Sequence, residues 1–155
     1  MKARMPSPAL TLPGALEALQ LLAKSREQTG LSPALLELCN LRASQINGCA
    51  VCVEMHARAL TKLGEPPERV FALGAWCDSP YYSDAERAAL ALTEATTRLS
   101  DRADPVCDDV WKEAARHFEP PALAALVLSI AVINLWNRLN AATKQVAGAW
   151  TAQYV

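Results

Sequence analysis

Apolar residues along this chain recur at intervals of three and four, and each such stretch is bounded by proline, glycine or a small hydroxyl residue. That is the pattern of amphipathic helices. No stretch alternates with the two-residue period of a strand, and neither an internal repeat nor a low-complexity segment is present. A first helix is predicted from Gly14 to about Gln28, stopped by Gly30. Ser32-Pro33 supplies an N-cap and a proline at the first helical position, opening a second helix that reaches about Ile46. Asn47-Gly48 breaks it, and a third helix runs from about Cys49 to Leu63 with Gly64 closing its C-terminus. Pro66-Pro67 opens a short fourth helix ending near Asp78-Ser79-Pro80. Ser83-Asp84-Ala85-Glu86 has the form of a capping box. The helix behind it places Ala85, Ala88, Ala89, Leu92, Ala95 and Leu99 on one stripe, with Glu94 and Arg98 paired outside. Two more helices are expected, from Asp104-Pro105 through about Phe118 and from Pro120-Pro121 to about Val146. The expected architecture is an all-α helical bundle, a single domain over residues 1–155 with its core at about 15–146. Its second and third helices would form a central hairpin about Asn47-Gly48.

Composition sharpens this picture in three ways. A chain of 155 residues fits one domain. Its apolar fraction of 52% exceeds the usual range of about 45–50%, which points to an additional buried face between subunits. The net charge of −1 offers no long-range attraction, so neither nucleic acid nor a membrane surface is an expected partner. Met1 to Leu12 carries Lys2, Arg4 and two prolines but no apolar core, and does not read as a signal peptide. The most apolar stretch, Pro121 to Trp136, is shorter than the roughly 20 residues needed to span a bilayer and reads as a buried helix. A cytoplasmic location is therefore expected, where five cysteines are thiols rather than a disulfide framework.

The third helix carries the chemistry. Cys49, Cys52 and His56 stand at i, i+3 and i+7 and share one face, which Leu60 and Leu63 continue and so mark as the inward one. Glu54 and Arg58 lie on the other side, one turn apart. Cys49 falls in the first turn, where unpaired backbone N–H groups and the positive helix end favour a thiolate. Between Leu31 and Val53 the only formal charges are Glu37 and Arg42. A carboxylate in so apolar a run needs a partner or takes up a proton, and either state suits proton exchange with an imidazole or thiol. In a hairpin about Asn47-Gly48, Glu37 comes within reach of Cys52 and His56.

The spacing Glu37-x11-Cys49-x2-Cys52-x3-His56 resembles the signature of the AhpD-like alkylhydroperoxidase family, within the carboxymuconolactone decarboxylase superfamily. The run Leu41 to Cys49 is similar to the family's wording, as are Glu86 to Leu92 and Asn134 to Leu139. The likeness spans residues 15–145 and departs at Val51, where the best-studied hydroperoxidases carry histidine. The resemblance implies a helical fold that assembles as a homo-trimer or hexamer and reduces small organic hydroperoxides without cofactor or metal. It implies Cys52 as the peroxidatic thiol, Cys49 as proton donor and resolving thiol, and His56 and Glu37 as a proton relay. The electron donor would be a dithiol, thioredoxin-like or lipoyl.

Other readings compete. Cys49, Cys52 and His56 are also three zinc ligands in search of a fourth, but one helix rarely presents three ligands tetrahedrally. A lactone decarboxylase like the superfamily's founders would work by acid–base chemistry and lacks paired cysteines, and a non-catalytic redox-sensing assembly needs the thiols alone. Cys39, Cys77 and Cys107 read as core packing, and His117 as a complement to a helix dipole. Trp136, Asn137 and Arg138 read as core or interface ahead of pocket lining, whereas Met55, Trp76, Tyr81 and Tyr82 suit a channel wall and ordinary packing equally.

Overall fold

In the computed structural model of the chain, residues 1–26 and 29–148 are described. Eight α-helices form among them: α1 Pro8–Thr11, α2 Ala15–Lys24, α3 Pro33–Asn47, α4 Ala50–Lys62, α5 Pro67–Ala72, α6 Asp84–Thr97, α7 Asp108–His117 and α8 Pro120–Thr143. A 3-10 segment, Leu73–Asp78, follows α5 directly and is kinked within itself at Ala75. The class is all-α, as expected.

Local chemistry sets most of the boundaries. Ser32 accepts from the Leu35 amide at 3.1 Å with Pro33 behind it, and Ser83 and Glu86 complete the capping box of α6. Gly48 takes φ 66° and closes α3, a left-handed conformation that costs a side-chain-bearing residue about 1–2 kcal/mol. Four expectations shift. A one-turn helix, α1, precedes the first predicted one. That predicted helix ends at Lys24, while the expected terminus at Gln28 lies outside the described residues. Helix α7 starts at Asp108, because Cys107 has an extended backbone and serves as N-cap. Helix α8 stops at Thr143, where Lys144 turns left-handed at φ 52°.

Helix α3 is the centre of the bundle, packed against α4, α6 and α8. One apolar cluster joins α3, α6, α7 and α8 through Leu35, Ala89, Ala114, Leu126 and Ile130. A second joins α3 to α4 and the 3-10 segment through Leu38, Leu60, Leu73 and Leu90. Leu60 is buried as expected, but Leu63 is exposed, since it is already the C-cap of α4. Leu99 is exposed too, because α6 ends at Thr97 and the stripe has no helix to continue on.

Helix α8 spans 24 residues and is, by length and composition alone, long and apolar enough to cross a membrane. Beyond the apolar run the helix continues through a polar stretch, which the predicted span to about Val146 covers. The inner face carries Ser129, Asn134, Asn137 and Asn140, all buried. Asn47 donates to Asn134 and Asn137 at 2.9 and 2.8 Å, and Asn137 donates to Ser44 at 3.1 Å, so α3 and α8 are pinned by side-chain amides. Among the described residues every buried side-chain polar atom has a partner, as a low-dielectric interior demands.

Glu94 corrects another expectation. It reaches Arg98 only at 3.8 Å and turns inward, accepting from Arg42 Nε at 2.6 Å and Trp76 Nε1 at 2.8 Å. Desolvation opposes its charge, but the Trp76 and Arg42 hydrogen bonds win and hold the carboxyl below its ordinary value of 4.5. A depressed carboxyl contributes stability that is complete above its unfolded value and lost as pH falls through the folded one. Stability should therefore decline below about pH 4.5, and Glu94→Gln should cost about 1–3 kcal/mol at neutral pH while flattening that decline. Urea titrations of both proteins at neutral and acid pH measure both effects.

Candidate active site

The break between α3 and α4 places the first sulfur. Gly48 ends α3, and its neighbour Cys49, with φ −86° and ψ 94°, becomes the N-cap of α4. Cys49 Sγ accepts from the Cys52 amide at 3.3 Å, so it sits where orphan N–H groups and the helix dipole favour negative charge. Cys49 and Cys52 are disulfide-bonded, with Cα atoms 5.3 Å apart. Both are buried, packed with Ala43, Val51 and Ile133.

One turn further, His56 faces Glu37 of α3, with Nδ1 and Oε2 2.6 Å apart. Side-chain exposure is only 18% for His56 and 22% for Glu37, so the carboxylate meets the imidazole instead of bulk solvent. Neither Arg42 nor Arg138 takes it: Arg42 goes to Glu94 and Arg138 to Asn134. With Nδ1–H donating to the carboxylate, Nε2 is left as the basic nitrogen.

A cavity of about 290 Å³ opens beside this group. Cys52 and His56 line it together with Met55, Trp136 and Asn140, while α1 and α2 contribute Leu10 and Leu16 and the turn after α2 contributes Arg26. Thus the four predicted residues assemble in one place, and Cys52 is the sulfur that meets the opening.

Asn140 was missed by sequence reasoning. Its amide donates to Cys52 Sγ at 3.3 Å, and a donor aimed at sulfur stabilises the thiolate and the oxygenated forms that follow from it. The available signal was the three-residue spacing of Asn134, Asn137 and Asn140 in an otherwise apolar helix, because asparagines on a buried face need specific partners. The Leu10 and Arg26 wall left no comparable trace, since short polar-flanked turns carry no period.

The other thiols divide. Cys39 is fully buried, and desolvation, resisted by a Thr93 hydrogen bond, pushes it up to about 12, which leaves it a thiol at physiological pH. Cys107 is half-buried, and Cys77 is exposed on the 3-10 segment, against the expectation of core packing. His117 lies in the last turn of α7 as expected and bonds Glu113 at 3.1 Å. Trp76 and Tyr82 pack in the second apolar cluster, whereas Met55 does line the cavity. Glu54 and Arg58 pair at 2.8 Å, and the Gly148 amide also donates to Glu54.

An all-helical bundle with a buried Cys49–Cys52 disulfide at a helix head, a His–Glu pair one turn on and a cavity at the second sulfur defines an AhpD-like thiol protein. The chain belongs to the carboxymuconolactone decarboxylase family, whose model matches residues 13–95. It is 36% identical over 119 residues to the uncharacterized protein YdfG of Bacillus subtilis (strain 168), spanning 77% of this chain and 80% of that one. A crystal structure from Agrobacterium tumefaciens, a protein of unknown function suggested to be the antioxidant defence protein AhpD, superposes with TM-score 0.87. It shares 30% identity over 96% of this chain and 99% of that one. The debrominase Bmp8 has the same fold, with TM-score 0.78 and 24% identity over 91% of this chain and 75% of that one. Family, fold and paired cysteines together support a redox role at the family level.

Proposed function

We propose that the protein is a thiol-dependent hydroperoxidase that reduces small organic hydroperoxides and is recycled by a dithiol donor, thioredoxin-like or lipoyl. The observation that carries this reading is Cys52, bonded to Cys49 on one side and open to the cavity on the other, one helical turn from the Glu37–His56 pair. Cys52 thiolate attacks the distal peroxide oxygen, the O–O bond breaks, and the alkoxide leaves as an alcohol. Cys49, the proton donor in this reading, supplies that proton, and the imidazolium, which took the Cys52 thiol proton at Nε2 and is stabilised by the Glu37 carboxylate, returns it to Cys49. Cys52 sulfenic acid then condenses with the Cys49 thiol, releasing water and forming the disulfide. The donor dithiol, itself oxidised to a disulfide, returns both cysteines to thiols. No metal or organic cofactor enters this sequence. In this reading the protein works in the cytoplasm, as a homo-trimer or hexamer, apart from membranes and nucleic acid.

Steady-state consumption of cumene hydroperoxide with a dithiol reductant tests the proposal. Sustained turnover, many peroxides per active site, is expected. A single stoichiometric oxidation that the reductant cannot renew favours a redox sensor, and turnover of 4-carboxymuconolactone by a variant lacking both thiols favours a decarboxylase.

A further inference from the structure

Two polar contacts on α8 mark two ends of the cavity. At one, Arg26 Nη1 donates to Ser129 Oγ at 2.5 Å. At the other, Asn140 donates to Cys52 Sγ. Ser129 and Asn140 are eleven positions apart on one helix, so the two ends are separated by about 16 Å along its axis. Both side chains lean toward the helix N-terminus, which preserves that offset. Between them Val132, Ile133 and Trp136 face the cavity, with Met55 from α4. Along α8 the wall is therefore apolar between two polar ends, and Ser7, Gln20, Asn40 and His56 add polar groups from other segments.

Arg26 has no counter-charge there. Among the described residues it meets no carboxylate, and its one side-chain bond is to a neutral hydroxyl. A guanidinium offers five donors in a planar fork suited to a carboxylate. The other ionisable group in the wall, His56, is already matched to Glu37. A half-buried cation that meets no carboxylate among the described residues, at the end of an apolar wall, suits an anion with an apolar body.

We propose that the cavity binds an amphipathic carboxylic acid, its carboxylate on Arg26, its medium-length chain along Val132 to Trp136, and its reducible bond at Cys52. Resting on the hydroperoxidase reading, the substrate class becomes fatty-acid-like hydroperoxides whose peroxide lies far from the carboxylate. The products are the corresponding hydroxy acid and water.

The test separates binding from chemistry. Octanoate, which has no peroxide, is titrated into the reduced protein by calorimetry, with 1-octanol as the uncharged comparison. Octanoate is expected to bind about tenfold tighter than 1-octanol, and Arg26→Gln to lose about tenfold of that affinity, while Arg26→Lys keeps part of it. In turnover, wild type should prefer a carboxylated hydroperoxide over its methyl ester, and the preference should collapse toward one in Arg26→Gln. Equal binding of acid and alcohol by wild type overturns the proposal without requiring any variant to fold. Octanoate binding with no turnover of any hydroperoxide overturns the hydroperoxidase reading and leaves the anion site standing.

Discussion

If the protein is the proposed hydroperoxidase, Cys52→Ser is expected to reduce peroxide turnover to the uncatalysed background, while Cys49→Ser is expected to complete one reduction and stop. The asymmetry follows from geometry. Cys52 is the sulfur at the cavity, and without it no thiolate meets the peroxide. Cys49, packed with Ala43 and Ile133, protonates the leaving alkoxide, which a serine hydroxyl can also do, and then resolves the sulfenic acid, which serine cannot, so its loss strands Cys52 as a sulfenic acid. Both variants should fold. Serine is a favoured N-cap and can accept from the Cys52 amide as the sulfur does, and a serine at position 52 retains an acceptor for Asn140. Stopped-flow peroxide consumption, with trapping of the sulfenic acid by a diketone reagent, reads both results. Steady turnover by Cys52→Ser refutes the assigned nucleophile. Steady turnover by Cys49→Ser, with no trapped adduct, moves the resolving step to another thiol.

The second large effect belongs to the proton relay. His56→Gln should lower kcat/KM by about 10²–10⁴-fold, the usual contribution of a positioned acid–base group. Glu37→Gln should act in the same direction, because an amide facing Nδ1 cannot stabilise the imidazolium formed when Nε2 takes a proton. A role confined to packing would leave the pH profile of kcat/KM unchanged in shape. Loss of one limb of that profile in both variants is the expected signature, and it reports the coupled group rather than one residue. Wild-type rates with an unaltered profile would remove the relay from the mechanism.

Much of this site could be read from the chain because its parts are local. Cys49, Cys52 and His56 share a face by helical period alone, and Glu37 follows once Asn47-Gly48 is taken as a hairpin break. The capping signals at Ser32 and Ser83 worked for the same reason, since each N-cap contact spans three residues. What escaped was determined at long range. Glu94 looked like the outer partner of Arg98 because helical spacing cannot show that Arg42 and Trp76 offer a better, drier site across the bundle. Asn140 and Arg26 reach the cavity from 88 residues beyond and well before the dithiol, and no local rule connects them to it. The extent of α8 was legible, since the predicted span to about Val146 covers its polar half, but the partners of its asparagines were not, because Asn137 is satisfied across the bundle by α3.

The cavity is assembled from two independent stretches of sequence. The reacting groups belong to the rigid α3–α4 hairpin, but part of the enclosing wall comes from α1, α2 and the turn carrying Arg26. Helix α2 contributes no fully buried residue, and the leading segment is anchored by contacts such as Arg4 to Thr143 and Gln145 to Met5. Catalyst and gatekeeper can therefore diverge separately. Exchanging the leading segment between relatives would re-address the same reductive engine to a different guest, with no need to retune the sulfurs.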